Sequence, residues 1–161
     1  MIAQAIDFTM KKHEGQFRMG GDPYYKHPIQ VMNILIRKGI TKTAYLLTAL
    51  FHDLLEDTDA TDKEILDLGN KRVLNAVKLL TKTEGYDMHT YIEGIKSNLM
   101  ARMIKLADRL HNLLSAVVAN KKFQLRYIKE TERYYLDLAK GTVFEDDINN
   151  ALNALKRIAH D

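Results

Sequence analysis

The chain has 161 residues, of which 46% are hydrophobic and 28% charged, and this predicts one domain spanning residues 1–161 with a sizeable core. Its net charge of +3 is too small to predict bulk attraction to nucleic acid or to a membrane surface. Cysteine is absent, which excludes disulfides and thiolate metal sites, so any metal must bind His, Asp, Glu or water. The polar N-terminus and the lack of a long apolar run predict a soluble, cytoplasmic protein.

The first two predicted helices flank a glycine-rich loop. Apolar residues recur at helical spacing from Ile2 to Met10, and the pattern ends near Gly15. Residues 15–28 contain three glycines and both prolines and predict an ordered loop. Pro28 fits the first turn of a second helix, which places His27 at the start of that helix as a candidate ligand. A capping histidine without a metal is the alternative interpretation of His27 taken alone.

The third predicted helix, from Ala44 to about Glu56, concentrates ionisable side chains in an apolar run. Residues four apart share a helical face, so His52 is expected to stack over Glu56, and Asp53 over Asp57. Burial of such groups without partners would cost their hydration, and a divalent cation is the simplest compensation. The alternative is a solvated helix end with the histidine packed against the core.

A long helix is predicted from about Leu99 to Ala119. It is apolar around most of its surface, which is typical of a central helix. A polar stripe of Asp108, Asn112 and Ser115 runs along it, and such a stripe requires partners or a cavity. A buried hydrogen-bond network and a ligand site are both consistent with this stripe.

The remaining patterns are also helical. Shorter helices are predicted after Thr61 and from Lys71 and Asp87, and a basic helix begins at Lys121. The segment from Thr142 to Glu145 reads as a capping box that starts the last helix. No strand alternation is evident, so the predicted fold is all-α: a helical bundle with at most a small β-hairpin in one of the loops.

Four of these side chains form one set in the order H…HD…D, namely His27, His52, Asp53 and Asp108. Two imidazoles and two carboxylates can bind one Mn, Fe or Zn ion and leave positions for water and substrate. This order of residues resembles the pattern of the HD-domain phosphohydrolases.

The residues around this pattern narrow the resemblance. Three blocks, RMGGDPYYKHPIQV (18–31), FHDLLEDT (51–58) and IKLADRLHN (104–112), resemble the hydrolase domain of the RelA/SpoT alarmone family. The resemblance runs from about residue 13 to residue 139 and implies a stand-alone small alarmone hydrolase, the class of the metazoan SpoT homologue. It implies removal of the 3′-pyrophosphate from (p)ppGpp to give GDP or GTP and pyrophosphate, with Mn²⁺ or another divalent metal as cofactor.

The same resemblance assigns roles to individual residues. It implies that His27, His52, Asp53 and Asp108 hold the metal and that Glu56 and Asp57 are the catalytic acidic pair. It implies a base contact for Arg18 and nucleotide contacts for the stripe residues Asn112 and Ser115. The anionic pyrophosphate also needs cations, for which Arg126 and Lys129 are candidates, although a solvated helix face is the default interpretation of both.

Three residues depart from the family pattern and leave the substrate open. Met19 and Gly20 follow Arg18 where many relatives carry Lys and a small polar residue, and Leu114 stands where an Arg often follows the Asn. A (p)ppApp hydrolase and an HD phosphohydrolase acting on another nucleotide such as NADPH are therefore alternatives. A nucleotide sensor without turnover is a third, against which the Glu56–Asp57 pair argues. In each case the expected partner is a small nucleotide, not nucleic acid or a membrane.

Overall fold

The structure, a computed structural model, describes residues 1–160. These residues form helices and connecting loops and no β-sheet, which confirms the predicted all-α fold. The expected hairpin is reduced to a single antiparallel bridge between Phe17 and Pro23. The chain divides into two compact units, residues 1–105 and the residues from Leu106 onward, and the expectation of one domain over residues 1–161 stays a prediction. None of the helices within the described residues is both long and apolar enough to cross a membrane.

The first unit contains seven helices and the beginning of an eighth. Helix α3 is buried along most of its length and packs against α1, α2 and α6, so it forms the centre of this unit. On one side Phe8 of α1 meets Phe51 of α3 edge to face, with ring centroids 6.0 Å apart. The helices are α1 (Ile2–Lys12), α2 (Lys26–Arg37), α3 (Thr43–Phe51), α4 (Leu54–Asp57), α5 (Asp62–Leu68), α6 (Lys71–Leu80), α7 (Met88–Lys96) and α8 (Leu99–Ser115).

Side-chain caps begin several of these helices where the sequence predicts them. Thr61 and Glu64 form a reciprocal capping box at the start of α5. Asp87 accepts a hydrogen bond from the Thr90 amide at the start of α7, and Asn98 accepts one from the Ala101 amide at the start of α8. These caps satisfy amides that would otherwise have no partner within their helices.

The second unit continues α8 and adds three more helices. Helix α8 ends at Ser115 in a 3₁₀ turn (Ala116–Val118), which is followed by α9 (Lys121–Glu130), a π-helical turn (Thr131–Tyr135), α10 (Leu136–Ala139) and α11 (Glu145–Ala159). Helix α11 packs against α9 and α10 through apolar residues such as Leu152 and Leu155. The helix predicted to begin at Lys121 is present, and the π-helical turn within it was not predicted.

The capping box predicted for the last helix is wrong, because the N-cap residue is Phe144 and no side chain caps the helix. The Thr142 hydroxyl donates to the carbonyl of Ala139 and accepts from the amide of Phe144, so it stabilises the turn before the helix. Glu145 is itself the first residue of α11, and its side chain accepts from the Gly141 amide. Residue 141 has φ +78°, a conformation that glycine adopts more readily than other residues.

Candidate metal centre

His52 follows the last residue of α3, and its ring is only 3% exposed. Its Nδ1 lies 2.6 Å from the carbonyl oxygen of Ala49. Because a carbonyl only accepts hydrogen bonds, Nδ1 must carry the proton, which leaves the lone pair of the neutral ring on Nε2. A carbonyl partner of this kind fixes both the tautomer and the orientation of a metal-binding histidine.

The helix predicted from Ala44 to about Glu56 is interrupted at His52 and Asp53. Asp53 has φ −102° and ψ −3°, and this turn ends α3 and begins the short helix α4. In a continuous helix adjacent side chains point about 100° apart and do not face a common point. The turn changes this, since Asp53 Oδ2 lies 3.1 Å from His52 Nε2. Two neighbouring residues therefore present ligand atoms to one position.

His27 brings a third ligand atom from α2. It is the second residue of that helix, directly before Pro28, and its ring is 1% exposed. Its Nε2 lies 3.8 Å from Asp53 Oδ2, and its ring centroid lies 5.3 Å from that of His52. The expected position of His27 at the start of the second helix thus places it beside the HD pair.

These three residues fit a divalent cation. One ligand atom from each of His27, His52 and Asp53 can be chosen so that all lie within 4.8 Å of one another. Bonds of about 2.0–2.2 Å to one ion hold its ligand atoms roughly 3–4 Å apart. Two imidazole nitrogens and a carboxylate oxygen suit Mn, Fe or Zn.

The predicted fourth ligand, Asp108, lies on α8 within the second unit and is 5% exposed. Its Oδ1 accepts a hydrogen bond from Asn112 Nδ2 at 3.2 Å. Ser115 donates its hydroxyl to the main-chain oxygen of His111. The polar stripe is therefore partly satisfied within its own helix, and its contacts with a metal or a nucleotide stay predictions.

The acidic pair lies on α4. Glu56 and Asp57 are both exposed, and Glu56 Oε1 accepts a hydrogen bond of 2.6 Å from the main-chain amide of Lys82. This amide follows α6 and anchors the carboxylate from another part of the first unit. An anchored, exposed carboxylate one helical turn beyond the ligand pair can exchange protons with water, which is what a general acid or base requires.

The predicted substrate-binding cations occupy two regions. Arg18 lies in the loop between α1 and α2, with its guanidinium carbon 5.9 Å from the ring centroid of Tyr24. Arg126 and Lys129 are exposed on α9 in the second unit, where Arg126 lies 5.1 Å from the ring centroid of Phe123. Their roles toward a substrate stay predictions.

Two contacts at this centre were not anticipated from the sequence. The Tyr24 hydroxyl donates to Asp53 Oδ2 at 2.7 Å, and the Lys82 amide holds Glu56 as described above. A tyrosine pair, separated from His27 only by Lys26, was the available signal for the first contact. No sequence signal exists for the second, because every non-proline residue carries the same amide.

Three comparisons with known proteins show what the chain is similar to. The HD domain family profile matches residues 5–142. The chain is 32% identical over 96% of its length to the GTP pyrophosphokinase rsh of Brucella melitensis, and 31% identical over 86% of its length to a guanosine-3′,5′-bis(diphosphate) 3′-pyrophosphohydrolase of Borreliella burgdorferi. It spans about a fifth of each of these relatives, 22% in both cases.

A solved structure resembles nearly the whole chain. It is described as a metazoan ortholog of SpoT that hydrolyses ppGpp, and it superposes with a TM-score of 0.82 at 25% identity. The likeness covers 95% of this chain and 94% of that one. From the helical architecture, the cluster of His27, His52 and Asp53, and a profile match over most of its length, we conclude that the chain belongs to the HD domain family.

Proposed function

We propose that this protein is a metal-dependent hydrolase that removes the 3′-pyrophosphate of the guanosine alarmones (p)ppGpp and yields GDP or GTP and pyrophosphate. The observation that carries the proposal is the cluster of the buried His27 and His52 with the partly buried Asp53, in which Ala49 fixes the His52 tautomer. The likeness to the metazoan SpoT ortholog, which hydrolyses ppGpp, supports the choice of substrate.

In this proposal His27, His52 and Asp53 hold the cation, and Asp108 is the fourth ligand. A bound divalent ion such as Mn²⁺ would supply Lewis acidity and lower the pKa of coordinated water. Both histidines are buried, and His52, with its Nδ1 proton directed at the Ala49 carbonyl, presents Nε2 as the ligand atom. This donor set needs no thiolate, in agreement with the absence of cysteine.

The acidic pair moves the protons of the reaction. A water oxygen adds to the phosphorus that is bonded to ribose O3′, the P–O3′ bond breaks, and O3′ takes up a proton. Glu56 or Asp57 accepts the proton of the attacking water and returns one to O3′, so the carboxylate is regenerated. The Lys82 amide keeps Glu56 in place during this exchange.

Contacts with the nucleotide are assigned to Arg18, Asn112, Ser115, Arg126 and Lys129. The position of Arg18 supports a contact with the nucleobase, because its guanidinium lies over the ring of Tyr24, and Tyr24 contacts Asp53. A planar guanidinium is well suited to stacking on a nucleobase. The other four residues lie in the second unit, and their charge or hydrogen-bonding capacity supports contacts with ribose and phosphate.

Product analysis tests the proposal. Metal-free protein is reloaded with Mn²⁺ and incubated separately with ppGpp, ppApp and NADPH, with and without chelator, and Asp53→Asn is the matched control. We expect chelator-sensitive release of pyrophosphate from ppGpp in the wild type and little in the variant. Faster release from ppApp would change the assigned purine.

Two other results would reject the alarmone reaction. Orthophosphate released from NADPH alone would identify a different HD phosphohydrolase. Tight binding of ppGpp without any product, in protein shown to contain metal, would identify a sensor.

A further inference from the structure

The loop between α1 and α2 reaches the metal cluster through Tyr24. The Tyr24 hydroxyl donates to Asp53 Oδ2 at 2.7 Å. This is the same oxygen that lies 3.1 Å from His52 Nε2 and 3.8 Å from His27 Nε2. A carboxylate oxygen has two lone pairs, so Oδ2 can accept a hydrogen bond from the tyrosine hydroxyl and coordinate a cation at the same time. Tyr24 is therefore in direct contact with a ligand atom.

The ring of Tyr24 is held in turn by a buried histidine. His13 is 1% exposed and packs against Tyr24 with ring centroids 4.8 Å apart and an interplanar angle of 40°. His13 Nδ1 lies 2.8 Å from Gln16 Oε1. Gln16 uses its Nε2 to donate to the main-chain oxygen of Asp57 at 2.8 Å, which identifies Oε1 as the acceptor toward His13. The Tyr24 ring thus has a fixed support.

Together these contacts hold both ends of α4. Tyr24 binds Asp53, the residue before the helix, and Gln16 binds the carbonyl of Asp57, its last residue. A four-residue helix has no stability of its own, because helix nucleation is unfavourable and isolated helices need many more residues. The direction of the Asp53 carboxylate therefore depends on contacts from outside α4.

We propose that Tyr24 is a positioning residue of the metal centre, which directs Asp53 Oδ2 toward the cation and is itself held by His13 and Gln16. The inference rests on the proposed metal site but concerns residues outside the predicted ligand set. Outer-shell hydrogen bonds of this type typically change metal affinity by about 10–100-fold when they are removed. A tyrosine that only satisfied a partly buried carboxylate would leave metal affinity unchanged.

The test measures the dissociation constant of Mn²⁺ by competition with a fluorescent chelator in wild type, Tyr24→Phe and Tyr25→Phe. Tyr25→Phe is the matched control, because it removes the hydroxyl of the adjacent, half-buried tyrosine, which is not part of the Tyr24–His13–Gln16 chain. We expect Tyr24→Phe to weaken Mn²⁺ binding by about 10–100-fold and Tyr25→Phe to bind as the wild type does. The melting temperature of the metal-free proteins shows whether each variant is folded.

An unchanged dissociation constant in folded Tyr24→Phe would overturn the role of Tyr24 while the metal site stands. If the wild type itself does not bind Mn²⁺, the proposed metal centre is overturned, and the role of Tyr24 with it. Should Tyr24→Phe fail to fold, Gln16→Leu provides the second variant, since it keeps the tyrosine hydroxyl and removes its support. A measurable loss of Mn²⁺ affinity in Gln16→Leu is then expected, and wild-type affinity would contradict the inference.

Discussion

At the residue scale, Glu56 offers a substitution that separates chemistry from structure. Glutamine at this position keeps an oxygen that can accept the Lys82 amide but removes the basic carboxylate. We expect Glu56→Gln to lower kcat by about 10²–10⁴-fold. Steady-state kinetics with ppGpp measure the change in kcat. The dissociation constant of Mn²⁺ measures metal binding, which should be unchanged.

Asp57→Asn is the matched variant on the neighbouring residue. If its kcat is normal while that of Glu56→Gln falls, Glu56 carries the proton transfer. The reverse result would assign that role to Asp57. Wild-type kcat in both variants would reject the acidic pair as catalytic.

A second prediction at this scale concerns pH. Burial lowers the pKa of His13 below the ordinary histidine value, partly opposed by its hydrogen bond to Gln16. Below a pH of about 6.5 the unfolded chain protonates this residue while the folded chain does not. The free energy of unfolding therefore decreases as the pH is lowered, until the pKa of the folded state is reached. Above about pH 7 both states are neutral and His13 has no effect on the pH dependence.

His13→Phe removes this titration and keeps an aromatic ring against Tyr24. Urea unfolding at pH 7 and pH 5, in the presence of chelator, should show a smaller loss of stability in the variant than in the wild type. The difference is at most about 1.4 kcal/mol per pH unit for one proton. Because His27 and His52 are present in both proteins, equal losses would contradict a neutral His13 in the folded state.

At the scale of whole elements, the sequence predicts helices well and their interruptions poorly. The position of His27 followed from Pro28, since proline favours the first turn of a helix. The break at His52 and Asp53 did not, because apolar spacing runs through it without a glycine or proline. Its causes include contacts distant in sequence, such as that of Asp53 with Tyr24, 29 residues earlier. Local patterns carry no information about such partners.

The π-helical turn between α9 and α10 forms part of the environment of the buried Arg109. It contains Tyr135, whose ring centroid lies 4.0 Å from the guanidinium carbon of the buried Arg109, and Tyr127 on α9 lies 4.5 Å from the same carbon. Glu130 completes the environment as the ion-pair partner of Arg109. The planar guanidinium can stack between two rings and bind a carboxylate at once, whereas an ammonium cannot.

We therefore expect Arg109→Lys to destabilise the protein by about 1–3 kcal/mol, mainly through a buried charge that is poorly hydrogen-bonded. Lys129→Arg, an exposed exchange of the same charge on α9, is the control and should change stability by less than about 0.5 kcal/mol. Urea denaturation measures both variants. A neutral Arg109→Lys would show that the aromatic and carboxylate contacts of Arg109 contribute little to stability.

At the scale of the whole molecule, the sequence and the structure agree on an all-α chain. Its buried polar residues are the ones that point to a function. Most apolar positions are explained by helix packing, and they say nothing about function. Three of the buried polar residues, His27, His52 and Asp108, are different, because the burial of such groups costs their hydration and requires partners. These residues belong to the H…HD…D pattern, from which a shared cation was predicted, and for Asp108 that ligand role stays a prediction.

The proposed cation is expected to stabilise the entire chain. A cation that binds the folded but not the unfolded protein stabilises it by about 2.7 kcal/mol when present at 100 times its dissociation constant. For a protein of this size the corresponding rise in melting temperature is about 5–10 °C. Differential scanning calorimetry of metal-free protein with increasing Mn²⁺ measures the shift, and it does not depend on knowing the substrate.

Asp53→Asn is the matched control for this measurement, because asparagine has nearly the same shape and its amide oxygen can still accept the Tyr24 hydroxyl. We expect the variant to lose most of the Mn²⁺-dependent rise, since a charged ligand of the cation has become neutral. An equal rise in both proteins would place the bound Mn²⁺ away from His27, His52 and Asp53. The stabilisation would then report binding at another site, and the cluster would have to be explained without a metal.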